Sequence, residues 1–250
     1  SDNIEYIISK YKITHLVFIA AISKPQDCQK NKKMSNLINV VKAKKVLNTL
    51  LKKKIYFVYI SSDYIFNGKK GNYFENSKPD ARVLYGKHKL EIENFLEDRK
   101  EENYSILRCP KTYGDDINDK SIFMSFLVDC FKKKNFTLAY DQIFSALYVK
   151  DLIKIIDVFL KKEIKGKFNV SGDESFSRLS YCKKILLKFN IKGIKLNGAK
   201  LKKLSKIKNI PLNVSLNNSK IKKKINFKFT KFDNYLNIIK KKYAKKVSKF

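Results

Sequence analysis

The chain has 250 residues, with 55 Lys+Arg against 23 Asp+Glu and a formal charge of +32. Its 44% hydrophobic and 13% aromatic content is too high for a disordered polycation, and the length can bury one large core or two small ones. No uncharged apolar run reaches about 18 residues and no apolar stretch follows a basic N-terminus, so neither a membrane span nor a secretory signal is expected. The cysteines (Cys28, Cys109, Cys130, Cys182) form no C-x-x-C, and the only histidines are His15 and His88. That excludes a zinc framework, disfavours a disulfide scaffold and implies a cytoplasmic globular protein.

The charge first suggests a polyanionic partner. Only four cations are arginine (Arg82, Arg99, Arg108, Arg178), and lysine supplies the other 55 − 4 = 51. Base and phosphate recognition favours arginine forks, and none cluster here. The lysines therefore read as a solvated coat, useful for attracting a phosphate-bearing substrate, and nucleic acid is not the expected partner.

Taken in chain order, residues 3–11 are helix-like and lead into an apolar run at 15–21 (HLVFIAA). A helical pattern at 31–51 precedes a second run at 55–61 (IYFVYIS). Neither run alternates with polar residues, as expected of strands covered on both faces. Helical patterns at 84–101, 121–134, 149–161 and 177–189 are interleaved with strands at 105–109 (SILRC) and 168–171 (FNVS). From about residue 192 the chain is lysine- and asparagine-rich and ends in a helix predicted over 233–246. This alternation predicts an α/β fold, a Rossmann-like doubly wound parallel sheet with right-handed crossovers. Residues 1–140 read as an incomplete NAD(P)-binding part, and 141–250 as a mixed substrate-binding lobe with closing elements. Such a sheet ordinarily opens with a strand, a glycine-rich turn and a helix. The first glycine here is Gly68, so one βαβ unit is expected to be missing, through fragmentation or true absence.

The chemistry concentrates in 59–89 (YISSDYIFNGKKGNYFENSKPDARVLYGKHK). Ser61, Ser62 and Asp63 stand where a buried strand ends, and in open parallel sheets those ends border the ligand crevice. Tyr85 and Lys89 are four residues apart on a helix and share one face. An ammonium beside a phenol is expected to lower its pKa towards that of a useful proton donor. Ser62 would add a hydrogen bond to the same substrate oxygen. His15 reads as a strand-entry residue, His88 as a surface residue off the Tyr85–Lys89 face, Cys109 as a small buried hydrophobe, and Tyr64 and Phe66 as packing residues.

The chain resembles the extended short-chain dehydrogenase/reductases, and among them the dTDP-4-dehydrorhamnose reductase-like group. Residues 59–68 (YISSDYIFNG) are similar to its Y-S-T-D-Y-V-F-x-G, and 84–91 (LYGKHKLE) to V-Y-G-x-x-K-L-x-G-E. Residues 18–24 (FIAAISK), 106–114 (ILRCPKTYG), 141–152 (DQIFSALYVKDL), 168–172 (FNVSG) and 210–220 (IPLNVSLNNSK) match further motifs in order. The resemblance implies reduction of a 4-keto nucleotide sugar by NADPH or NADH, in carbohydrate precursor synthesis, with a homodimer as one possible assembly. It implies Tyr85 as acid, Lys89 as its activator and Ser62 as carbonyl-oxygen donor. Ala20, Ala21, Ile22, Ser61, Tyr85, Lys89, Cys109 and Thr112 would face the cofactor. Ser62, Asp63 and Gln142 would face the substrate, and no metal is implied. Ile19 stands where the group has Asn, while Phe144, Ala146 and Leu147 replace smaller or more polar residues around the sugar. The group also includes the non-catalytic regulatory subunit of methionine adenosyltransferase, so nucleotide binding without turnover is the alternative.

Overall fold

The computed structural model describes residues 3–119, 121–132 and 134–243; Lys133 and the predicted extension of the last helix to Lys246 lie outside them. In chain order the elements begin with α1 (Ile4–Lys10), β1 (His15–Phe18), α2 (Pro25–Lys30) and α3 (Lys32–Asn36). A π-helical turn (Leu37–Lys42) joins α3 to α4 (Ala43–Lys52), followed by β2 (Tyr56–Ser62) and a 3-10 turn (Asp63–Ile65). Next come α5 (Leu84–Glu97), β3 (Tyr104–Cys109), β4 (Thr112–Tyr113), α6 (Ile122–Phe131), β5 (Phe136–Ala139), β6 (Ile143–Phe144) and β7 (Leu147–Tyr148). Then follow α7 (Val149–Lys162), β8 (Gly166–Asn169), β9 (Phe176–Ser177), α8 (Arg178–Phe189) and β10 (Leu196–Ala199). The last are α9 (Leu201–Leu204), α10 (Ser219–Ile225) and α11 (Phe232–Lys242).

The main sheet runs β1-β2-β3-β8, with every neighbouring pair parallel. Its central strands β2 and β3 are mostly apolar and buried along their length because each face is covered. Phe57, Tyr59 and Ile106 pack with Leu47, Leu50, Ile92 and Leu96 of α4 and α5. The alternate residues Tyr56, Val58 and Leu107 pack with Ile155 and Phe159 of α7 and Ile221 of α10. Side chains one residue apart in a strand point to opposite faces, so the unbroken apolar runs and the two-sided helix cover are the same fact.

A further core cluster is strongly aromatic, with Phe123, Tyr181, Phe232 and Tyr235 meeting Tyr113 and Tyr148. Phe144, Ala146 and Leu147 are all buried. The paired strands β5 and β10 are absent from the sequence reading, because four-residue strands bordered by lysines carry too little periodicity. Helix α5 stops at Glu97 rather than residue 101, with Asp98 as its C-cap. Among the described residues no helix is long and apolar enough to cross a membrane.

One glycine positions the site. A Cβ on Gly86 would stand 2.0 Å from the Tyr64 carbonyl oxygen. Its absence lets the first turn of α5 lie directly on the 3-10 turn that follows β2.

Candidate active site

At the carboxyl ends of β1, β2 and β3, four segments meet around a cleft of about 390 Å³. The end of β2 and the 3-10 turn bring Ser61, Ser62, Asp63 and Tyr64; α5 brings Tyr85 and Lys89; the segment after β3 brings Cys109, Pro110, Lys111 and Thr112. Ala21, Ile19 and Lys24 form the β1 side.

Ser62 Oγ donates to Asp63 Oδ1 at 3.0 Å and accepts the Tyr64 N–H at 3.2 Å. Ser62 also acts on the Tyr85 hydroxyl, favouring its ionised form. Lys89 Nζ lies 5.9 Å from the Tyr85 ring centroid and donates to the Ile60 carbonyl at 2.6 Å. Burial pushes its ammonium down to about 8, against the opposing fields of Cys109 and Glu93. The Tyr85 phenol moves the other way from the expectation. Burial and then the Asp63 carboxyl push it up, and the opposing influence is the Ser62 hydrogen bond rather than Lys89. Desolvation outweighs the field of an ammonium already held by a backbone carbonyl. Asp63 is pushed up to about 6 by burial, against Lys111 and the Ser62 hydrogen bond. Its Oδ2 is buried without a hydrogen-bond partner, so one acceptor faces the site unused.

The expected cofactor-side residues divide. Ala21, Cys109 and Thr112 line the cleft, whereas Ala20 is exposed beside it and Ile22 is not among the lining residues. Ser61 borders the cleft, but its hydroxyl donates to Glu93 Oε1 behind it. Gln142 lies in a second cavity of about 570 Å³ that shares Pro25, Tyr64 and Lys111 with the cleft.

Sequence reasoning missed Asn39 and misplaced His88. Asn39, in the π-helical turn, accepts the Ile22 N–H at 2.8 Å and donates to the Ile22 carbonyl at 3.0 Å. It thereby holds the chain just beyond Ala21. His88 is buried, not on the surface, with Nδ1 3.4 Å from Asn39 Nδ2. A single amide inside the apolar run Leu37–Ile38–Asn39–Val40–Val41 was the available signal. Asn39→Ala leaves both Ile22 backbone groups without that partner, and a loss of roughly 1–3 kcal/mol is expected. Urea denaturation checks this; an unchanged midpoint would remove Asn39 from the scaffold of the site.

Residues 1–245 match the RmlD substrate binding domain family. The chain belongs to this family. Among curated relatives, methionine adenosyltransferase 2 subunit beta of Xenopus tropicalis is 27% identical over 182 residues, 70% of this chain and 54% of that protein. The spore coat polysaccharide biosynthesis protein SpsK of Bacillus subtilis (strain 168) is 26% identical over 172 residues, 68% of this chain and 59% of that protein. The chain thus spans little more than half the length of these relatives. The solved structure of dTDP-4-dehydrorhamnose reductase from Bacillus anthracis str. Ames in complex with NADP superposes with a TM-score of 0.87 at 20% identity, covering 95% of this chain and 84% of that one. That likeness is one of fold, and it accords with the parallel sheet and two-sided helix cover of this RmlD-family chain.

Proposed function

We propose that the chain carries the reactive part of an NADH- or NADPH-dependent reductase that converts the 4-keto group of a nucleotide sugar to a hydroxyl. The observation that carries this reading is the convergence of Ser62, Tyr85 and Lys89 in one cleft at the carboxyl ends of parallel strands. The cleft suits the nicotinamide half of the cofactor, with the small Ala21 on the β1 side and the unpartnered Asp63 oxygen within it. The sequence contains no G-x-x-G-x-x-G turn to cradle the pyrophosphate.

When bound, the dihydronicotinamide supplies the hydride that reaches the carbonyl carbon. Tyr85 gives its phenolic proton to the carbonyl oxygen, so that C=O becomes CH–OH. Lys89 stabilises the resulting phenolate. Ser62 exchanges its Asp63 acceptor for the carbonyl oxygen and holds that oxygen towards Tyr85. Asp63 and Gln142 offer the substrate a carboxylate oxygen and an amide oxygen that lack protein partners. Residues 141–250 supply the substrate-side lobe.

A second reading, a nucleotide-binding regulatory subunit without turnover, is favoured by the methionine adenosyltransferase 2 subunit beta relatives. NADPH oxidation by the natural full-length protein with a dTDP-4-keto-6-deoxyhexose separates the two. Substrate-dependent oxidation is expected. Binding of nucleotide sugar without oxidation of NADPH or NADH would favour the regulatory reading.

A further inference from the structure

The second cavity adjoins the cleft at Lys111 and is lined by three cations, Lys111, Arg178 and Lys206, with no carboxylate among its lining residues. The cationic coat alone does not explain this cavity, because two of its polar groups are buried and unsatisfied. Arg178 Nε, a donor, and Gln142 Oε1, an acceptor, both lack hydrogen-bond partners. Buried polar groups are ordinarily paired, and an exception calls for a ligand or water.

Lys111 occupies the junction. It follows Pro110 at the end of β3, and its Nζ donates to the Tyr64 hydroxyl at 3.0 Å. The same ammonium lies 4.8 Å from the Tyr64 ring centroid and 4.9 Å from that of Phe144. Two aromatic rings and a neutral phenol hold the cation in place without neutralising it. An ammonium has three N–H donors, and the phenol takes one. The nearby Asp63 feels this charge, and among the described residues no carboxylate forms a salt bridge with Lys111.

We propose that Lys111 is a specificity-determining residue that, with Arg178, takes anionic oxygens of the substrate at the junction of the two cavities. The proposal rests on the reductase reading and adds to it which substrates are selected. Two sources present that chemistry. One is the diphosphate linking nucleoside to sugar; the other is a carboxylate on the sugar ring. Gln142 Oε1 would accept a hydroxyl or N–H from the same ligand.

The test is calorimetric binding of four probes to the full-length protein and to its Lys111→Met and Lys111→Arg variants. The probes are a nucleoside diphosphate, the corresponding monophosphate, a nucleotide-linked neutral hexose and a nucleotide-linked hexuronate. Methionine keeps the stem and removes the charge, so circular dichroism should be unchanged. A charge-assisted hydrogen bond lost in a partly buried site corresponds to about a tenfold to hundredfold weakening, with most of it restored in Lys111→Arg. If the diphosphate is the anion read, the loss appears for the nucleoside diphosphate and both nucleotide sugars, and is small for the monophosphate. If a carboxylate is read, the loss is confined to the hexuronate. Equal affinity of parent and Lys111→Met for all four probes overturns the proposal and leaves the reductase reading standing. A parent that binds no nucleotide sugar overturns both.

Discussion

Tyr85→Phe is expected to lower reductive turnover by about 10²–10⁴-fold, the range lost with a positioned proton donor, while the protein stays folded. The ring is held by packing: it meets the Tyr64 ring edge-on at 6.4 Å, and phenylalanine keeps that contact. What disappears is the hydroxyl and the proton it carries. Since burial raises the phenol, Tyr85 remains protonated through the neutral range and is ready to give its proton. The acid–base limits therefore come from its neighbours. Lys89, pushed down to about 8, is cationic below that pH and loses its charge as the pH rises through it. Asp63, pushed up to about 6, is a carboxylate above that pH and gains a proton as the pH falls through it. The rate is expected to be highest between these two values and to fall on either side. A kcat/KM profile with its alkaline limb unchanged in Lys89→Met would remove Lys89 from that limb. Wild-type turnover in Tyr85→Phe would remove the tyrosine from the mechanism.

The parallel sheet was legible because buried strands write themselves as unbroken apolar runs. Residues 55–61 and 105–109 are within a residue or so of β2 and β3. The Tyr85–Lys89 pair was legible because four-residue spacing on a helix fixes a shared face. Where the site failed to show, the information was long-range. Asn39 reaches Ile22 across 17 positions, and His88 is buried by the helical segment carrying Asn39 rather than by its own neighbours. The depression expected of Tyr85 relied on spacing alone, whereas the phenol's actual shift depends on how much water the assembled cleft excludes. Lys111 was hidden among 51 lysines, and only its place between Tyr64 and Phe144 distinguishes it.

Glu93→Ala is expected to destabilise the chain by about 3–5 kcal/mol, because it leaves a guanidinium buried without its counter-charge. Arg108 and Glu93 side chains are each 1% exposed, with Nη2–Oε2 at 2.6 Å and Nε at 3.1 Å from both carboxylate oxygens. The remaining arginine donor Nη1 goes to the Glu75 carbonyl at 3.0 Å, and the Ser61 hydroxyl also donates to Glu93. Three parts of the site are thereby tied together: β3 through Arg108, β2 through Ser61, and α5 through Glu93. Glu93 stands four residues beyond Lys89 and eight beyond Tyr85, so the clamp fixes the helix face that carries both. At roughly 2–4 °C per kcal/mol for a chain of this size, the midpoint should fall by about 6–20 °C. Exchanging both partners for apolar residues, Glu93→Leu with Arg108→Met, should cost much less than the single change, since no charge then remains buried. Thermal denaturation of Glu93→Leu, of Arg108→Met and of the double variant measures the coupling. If the double change costs the sum of the singles, the pair acts as two separate packing residues and the clamp does not exist.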